Sequence, residues 1–288
     1  LSTQTVRSSF RSGGVSVDAP AEIWHLSPDT GTECASYRGQ TMTRFCIHGI
    51  FRSGTNFTRG VLEMNYVCRA EYDSFGWKHS PFPILSAGSR LALPDIPSLF
   101  VTRNPFYALS ALFTYAERNK RNIRSAADDG MTAFLSAPIV IFDGGAEVSP
   151  ELYFETPVAL WNGLNWNYLS TVGKLPGRVH MRYEDLVARP EETAARVAEA
   201  LGLERKPGAF EVPQNRMRNL GSNMHNVRKF QTDKAFDLSK TLFSSYGALF
   251  SEEDRALVLN GANRDLVERA GYAEFMDRVA RGDVPETA

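Results

Sequence analysis

The segment Gly49-Ile50-Phe51-Arg52-Ser53-Gly54 restricts this chain more than any other. Its two glycines stand between a short apolar run, Arg44-Phe45-Cys46-Ile47-His48-Gly49-Ile50, and a stretch from Thr55 to about Val67. In that stretch Phe57, Val61, Leu62 and Tyr66 recur at helical spacing. The first run reads as a buried strand and the second as a helix. A glycine turn between a strand and a helix aims successive backbone N–H groups, and the positive end of the helix, at one place. Such a place suits a phosphate or sulfate group. A Walker-type loop has the same glycine spacing. It continues with Lys, which reaches the β- and γ-phosphates, and then Ser or Thr, which holds Mg²⁺. Here those positions are Thr55 and Asn56, and the cation, Arg52, comes before the second glycine. The loop is therefore expected to hold an anion without the equipment for a triphosphate and its metal.

Two more strand–turn–helix units follow. Ser98 to Thr102 is apolar, and Arg103-Asn104-Pro105 leads into a helical stretch from Phe106 to about Glu117. Proline fits the first turn of a helix, where its missing N–H is not needed. Arg178 to Tyr183 reads as another strand, followed by Glu184-Asp185-Leu186 and a helix from about Pro190 to Leu201 that Gly202 ends. Further helices are expected from about Pro157 to Val172 and from about Glu252 to Ala270, with Ser251 as N-cap of the latter and Asp254 completing a capping box. A second strand is expected at about Asp73 to Lys78. Alternating strands and helices predict an α/β fold: three layers, α/β/α, with a central parallel sheet of the P-loop-like nucleotide-binding kind. Residues 1–42 are polar and rich in Ser, Thr and Gly, and read as an N-terminal arm; residues 43–288 read as one domain.

The net charge of −1 gives no reason to expect nucleic acid as a partner, so an anion site must come from local clusters. Cys34, Cys46 and Cys68 have neither metal-ligand nor redox spacing, and an odd count argues against a disulfide framework. No stretch reads as a secretory leader, and no apolar run reaches membrane-spanning length. The expectation is a cytoplasmic protein that needs no metal. Oligomeric state is not legible.

Arg52-Ser53-Gly54-Thr55 resembles the 5′-phosphosulfate loop of sulfotransferases that use 3′-phosphoadenosine 5′-phosphosulfate (PAPS). The resemblance continues in order along residues 44 to 272, and it implies site residues. Arg52, Ser53, Gly54, Thr55 and Asn56 would hold the 5′ end of the donor, with Phe57 where many relatives place a Trp against the adenine. Arg103 and Ser110 would bind the 3′-phosphate, although relatives carry the serine eight positions after the arginine and here it is seven, with Ala111 next. Tyr183 of Met181-Arg-Tyr-Glu-Asp-Leu186 would lie near the adenine, its acidic neighbours capping the following turn. Arg228 and Lys229 would close over the 3′-phosphate; Phe230 stands where relatives have Gly, and Arg216 and Arg218 are alternatives. The product would be 3′-phosphoadenosine 5′-phosphate (PAP).

Sulfuryl transfer needs an acceptor made nucleophilic and a leaving phosphate whose charge is stabilised. A group that titrates near neutrality suits the first task. Trp77-Lys78-His79-Ser80-Pro81 resembles the Lys-x-His segment of cytosolic sulfotransferases with the middle residue absent, which makes His79 the expected base and Lys78 a neighbouring cation. On a strand, a one-residue shift would turn one of the two side chains away from the site. Glu71 and His48 are the alternatives; His25 lies in the arm and His180 inside a strand. Arg52 is expected to stabilise charge on the departing oxygen. Trp161-Asn162-Gly-Leu-Asn165-Trp166-Asn167-Tyr168 has the letters of a sugar or phenol site, but reads better as a helix packed on a sheet. Residues 119–156, with Gly144-Gly145, could close over an acceptor. The acceptor would be a hydroxyl or amine of a carbohydrate or small molecule. A small-molecule P-loop kinase and a non-catalytic nucleotide-binding protein of the same fold are the competing expectations.

Overall fold

The structure, a computed structural model, describes residues 36–37, 40–72, 77–82, 97–143, 151–173, 175–217, 231–235 and 247–283. All of them belong to one compact unit, Ala35–Ala288. After two short paired strands, β1 (Ser36–Tyr37) and β2 (Gln40–Thr41), come β3 (Thr43–His48), α1 (Thr55–Asn65), β4 (Cys68–Glu71), β5 (Ser98–Thr102) and α2 (Pro105–Arg118). Then follow β6 (Ile123–Arg124), α3 (Met131–Ser136), β7 (Ile139–Ile141), β8 (Leu152–Phe154), α4 (Pro157–Trp166) and a π-helical continuation, Asn167–Val172. The rest is β9 (Arg178–Arg182), α5 (Tyr183–Ala188), α6 (Pro190–Leu201), β10 (Asn215–Met217), β11 (Gln231–Ala235), α7 (Glu252–Gly261), α8 (Arg264–Arg269) and α9 (Ala273–Ala280).

The protein has an α/β fold. Its main sheet has four parallel strands in the order β4-β3-β5-β9. Alternation of side chains across the strands splits the core in two. Phe45, Ile47, Leu99, Val101 and Met181 join Val61, Leu62, Val197 and Leu201 of α1 and α6 on one face. Phe100 joins Leu109, Leu112, Leu160, Trp161 and Tyr168, from α2, α4 and the π turn, on the other. Both faces of the sheet are thus covered, which is why these strands read as nearly continuous apolar runs. The chain goes from β3 to β4 on one side and then to β5 on the other. The loops after β3 and β5 therefore diverge at a switch point, where parallel sheets leave a crevice at the carboxyl ends of their strands.

Local chemistry fixes the helix ends. Asn104 caps α2 by accepting from Phe106 N–H at 3.0 Å, with Pro105 in the first turn. Gly202 ends α6 with φ 66°, and Ser251 and Asp254 form both bonds of a capping box on α7. Two sequence expectations are corrected. Of the strand placed at about Asp73 to Lys78, residues 73–76 lie outside the described residues; β4 ends at Glu71, and Trp77 to Ser80 is a turn closed by Ser80 N–H to Trp77 O, 2.8 Å. The helix expected from Glu252 to Ala270 is broken at Ala262, because Asn263 caps a new helix through Leu266 N–H. The described part of 119–156 contains an antiparallel sheet, β6-β7-β8, anchored by the buried Ile123, Ile139 and Ile141. Residues 1–35, and with them His25, lie outside the described residues, as do Gly144-Gly145. Among the described residues, no helix is long and apolar enough to cross a membrane.

Candidate functional site

The glycine loop leaves the carboxyl end of β3 and turns into α1. Arg52 has φ 65° and Gly54 φ 90°, so left-handed residues flank Ser53. Alternation of this kind makes an anion-binding concavity of backbone N–H groups. Helix α1 begins at Gly54 with no side-chain cap and no acidic residue in its first turn. Its first N–H groups have no partner within the helix. The Ser53 hydroxyl is fully buried and, among the described residues, has no hydrogen-bond partner. These features fit a bound anion.

Four other segments converge on this loop. After β5, Arg103 donates from Nη1 to the Arg52 carbonyl at 2.8 Å, and its guanidinium carbon stands 5.0 Å from the Tyr183 ring centroid. Trp161 Nε1–H donates to Arg103 O at 2.9 Å and fixes that corner from α4. After β9, Tyr183 meets Phe57 edge to face, 6.0 Å between centroids, and lies directly against Gly54. The turn after β4 supplies Lys78 and His79. Lys78 Nζ and Tyr72 OH both donate to Asn56 Oδ1, each at 2.8 Å. Asn56, in the position where a Walker loop holds Mg²⁺, therefore has its amide oxygen occupied by two donors.

His79 is buried, with Nδ1 2.7 Å from Gly49 O. A carbonyl only accepts, so Nδ1 carries the proton and Nε2 keeps its lone pair. Gly49 N–H donates in return to Lys78 O, 3.0 Å. Burial, and then the Lys78 charge, hold His79 well below the usual histidine range, so its ring is neutral at pH 7. The segment is clamped from the π turn: Tyr168 OH donates to Ser80 O at 2.8 Å, and Asn167 Oδ1 accepts from Phe82 N–H at 2.8 Å. In that aromatic, amide-rich stretch Trp161, Asn165 and Tyr168 are fully buried, so packing is its principal role. Because Lys78 and His79 lie in a turn, both reach the loop, and the strand parity that would separate them does not apply.

Other sequence candidates are placed differently. Ser110 is fully buried, and among the described residues its Oγ has no hydrogen-bond partner. Tyr115, five residues on, faces Phe51 and Arg52. Five residues are about 140° round a helix, so Ser110 points well away from that side, while Ala111, one turn before Tyr115, lies on it. Glu71 is buried, paired with Arg44 at 3.0 Å and Arg69 at 3.2 Å. His48 is 1% exposed among Phe82, Phe100 and Tyr168, and burial lowers it to about 3. His180 Nε2 lies 2.8 Å from Thr102 Oγ1. Glu184, in the first turn of α5, accepts from Asn104 N–H and from Tyr272 OH, each at 2.9 Å. Asp185 is held by Arg182. Arg218, Arg228 and Lys229 lie outside the described residues, and only the backbone of Arg216 is described.

Sequence reasoning missed Phe51, Trp77 and Tyr72, which pack on Lys78 and His79, and Tyr115, which packs on Phe51. Phe51 stacks on His79, with Trp77 and Tyr115 against it. An aromatic residue inside the glycine loop was the one available signal. No family model, no curated protein and no solved structure matches the chain. Among the described residues, no three His, Cys, Asp or Glu side chains stand together as metal ligands.

Proposed function

We propose that the protein is a sulfotransferase. It moves a sulfuryl group from PAPS to a hydroxyl or amine acceptor, a carbohydrate or other small molecule, on a P-loop-like domain spanning residues 43–288. One observation carries this reading. A glycine loop with Asn56 in the metal-holding position gathers Arg103, Tyr183, Lys78 and a neutral, oriented His79 around itself. A kinase loop would need the lysine and hydroxyl that Thr55 and Asn56 replace.

The N–H groups after Ser53 and the guanidinium groups of Arg52 and Arg103 bind the donor's phosphates, a task for which guanidinium is well shaped. Phe57 and Tyr183 offer their rings to the adenine. His79 takes the acceptor's proton at Nε2 as the acceptor oxygen or nitrogen bonds to sulfur. The bond from sulfur to the 5′-phosphate oxygen breaks, PAP departs with the electron pair, and Arg52 and Lys78 offset the charge on that oxygen. Arg228 and Lys229 are proposed, from the resemblance alone, to close over the 3′-phosphate. Ala111 in place of a loop-side serine leaves Arg103 more of the 3′ contact.

The test is transfer from sulfur-labelled PAPS to a panel of phenol, amine and saccharide acceptors. Wild-type protein should label one class, and His79→Ala should lose labelling while still binding PAP. Undiminished labelling in His79→Ala would remove the base role from His79. PAP binding with no labelled acceptor would favour a non-catalytic binding protein.

A further inference from the structure

The base candidate sits on a residue of the phosphate loop itself. The Phe51 ring lies 4.2 Å from the His79 ring, centroid to centroid, with 22° between planes. Trp77 stands edge-on to both, 5.0 Å from Phe51 and 5.3 Å from His79. Tyr115 closes the other side of Phe51 at 5.5 Å. Phe51 is 4% exposed, so its ring has no freedom to leave the stack. Its neighbour Arg52 takes a left-handed conformation, φ 65°, that a residue with a side chain adopts only under constraint. Phe51 thus sits between Ile50, buried in the core, and the left-handed turn at Arg52.

Two restraints act on the His79 ring. The bond from Nδ1 to Gly49 O fixes one nitrogen but leaves the ring free to swing about that bond. Stacking on Phe51 fixes the plane and shields one face from water. Both restraints come from the glycine loop, one from its first residue and one from its third.

We infer that Phe51 is a positioning residue for His79: it holds the imidazole plane so that Nε2 faces the site, and it keeps water from the ring. The inference extends the proposed function, since it concerns the residue read there as the base. It ties base and donor together, because a loop shaped around the anion also sets the base. Among the described residues, the charged groups facing His79 are Lys78 from its own turn and Arg52 from the loop; His48 faces it from β3. All three oppose a proton on His79, as does the burial that Phe51 helps to provide.

The test is imidazole nitrogen NMR of the full chain across pH. The chain has five histidines, and His79→Asn identifies the His79 signals by their loss. Wild type should show a single tautomer, Nδ1 protonated and Nε2 bare, with its midpoint below pH 6.5. Phe51→Leu should move the midpoint upward, and Phe51→Tyr should restore it. An unchanged midpoint in a folded Phe51→Leu would overturn the assignment. If Phe51→Leu does not fold, Phe51→Met, which fills the space without a stacked ring, takes its place, and an unchanged midpoint there overturns it equally. Calorimetry of PAP on wild type tests the donor reading separately, because its failure would leave the His79 spectrum as it is.

Discussion

Gly54→Ala tests the contact between the loop and Tyr183. Gly54 has φ 90°, and a Cβ there would meet Tyr183 Cγ at 3.0 Å, with Cδ2 and Cε2 nearer still. Left-handed backbone costs a residue with a side chain about 1–2 kcal/mol. The ring must also leave its place, and with it goes the face that Arg103 covers at 5.0 Å. A cation–π contact of this kind is worth about 0.5–2 kcal/mol. The sum is about 1.5–4 kcal/mol, and at roughly 2–4 °C per kcal/mol for a domain of this size it lowers Tm by about 3–16 °C. Gly202→Ala is the control. Its φ is 66°, but an added Cβ finds nothing within 4 Å, so only the backbone cost of about 1–2 kcal/mol applies. Scanning calorimetry of the two variants, with PAP titration of each, separates the contributions. Gly54→Ala should be the less stable and should lose PAP affinity, while Gly202→Ala should keep it. Equal Tm values and equal affinities would refute the placement of Tyr183 against the loop.

Four other outcomes are expected. The acid limb of kcat/KM should lie below pH 6.5, because burial and Lys78 keep His79 deprotonated there; a limb at or above 6.5 contradicts this. His48 is lowered to about 3 in the folded protein, so below pH 6.5 the unfolded chain takes up a proton that the folded one refuses. Stability from this group is therefore full above 6.5 and falls by about 1.4 kcal/mol per pH unit as the pH drops, which denaturant midpoints measured from pH 7 to 5 would reveal. Glu63→Ala should cost about 3–5 kcal/mol, since that carboxylate accepts from the buried Arg59 at 2.8 Å and from Ala70 N–H at 2.8 Å; a loss under about 1 kcal/mol in urea melts would count against a buried pair. Tyr168→Phe removes the bond to Ser80 O, which should cost about 1 kcal/mol and lower transfer more than PAP affinity; an equal fall in both would contradict a role specific to the base segment.

Much of the fold was legible because its signals are local. Proline after Asn104, Gly202, and Ser251 with Asp254 each act through bonds within a few residues, and the strands β3, β5 and β9 stood close to where apolar runs placed them. The break at Asn263 was also written locally, as an N-cap after Gly261, but it lay inside a long periodic stretch. The short strands β6 to β8 carry too few residues for alternation to show. At the candidate site, the loop was readable from its glycines. What surrounds it was not: Phe51, Tyr72, Trp77 and Tyr115 act through contacts that only the folded chain creates. The seventh-position serine could be noticed in sequence, but its turn away from the loop needed the helix phase of α2.

Calorimetric titration of PAP without metal, beside ATP with Mg²⁺, tests the central proposal most directly. Tight metal-free binding of PAP, lost in Arg52→Ala and Arg103→Ala, is the predicted result. Binding of ATP with Mg²⁺ and not of PAP would contradict it and make a kinase reaction the better reading.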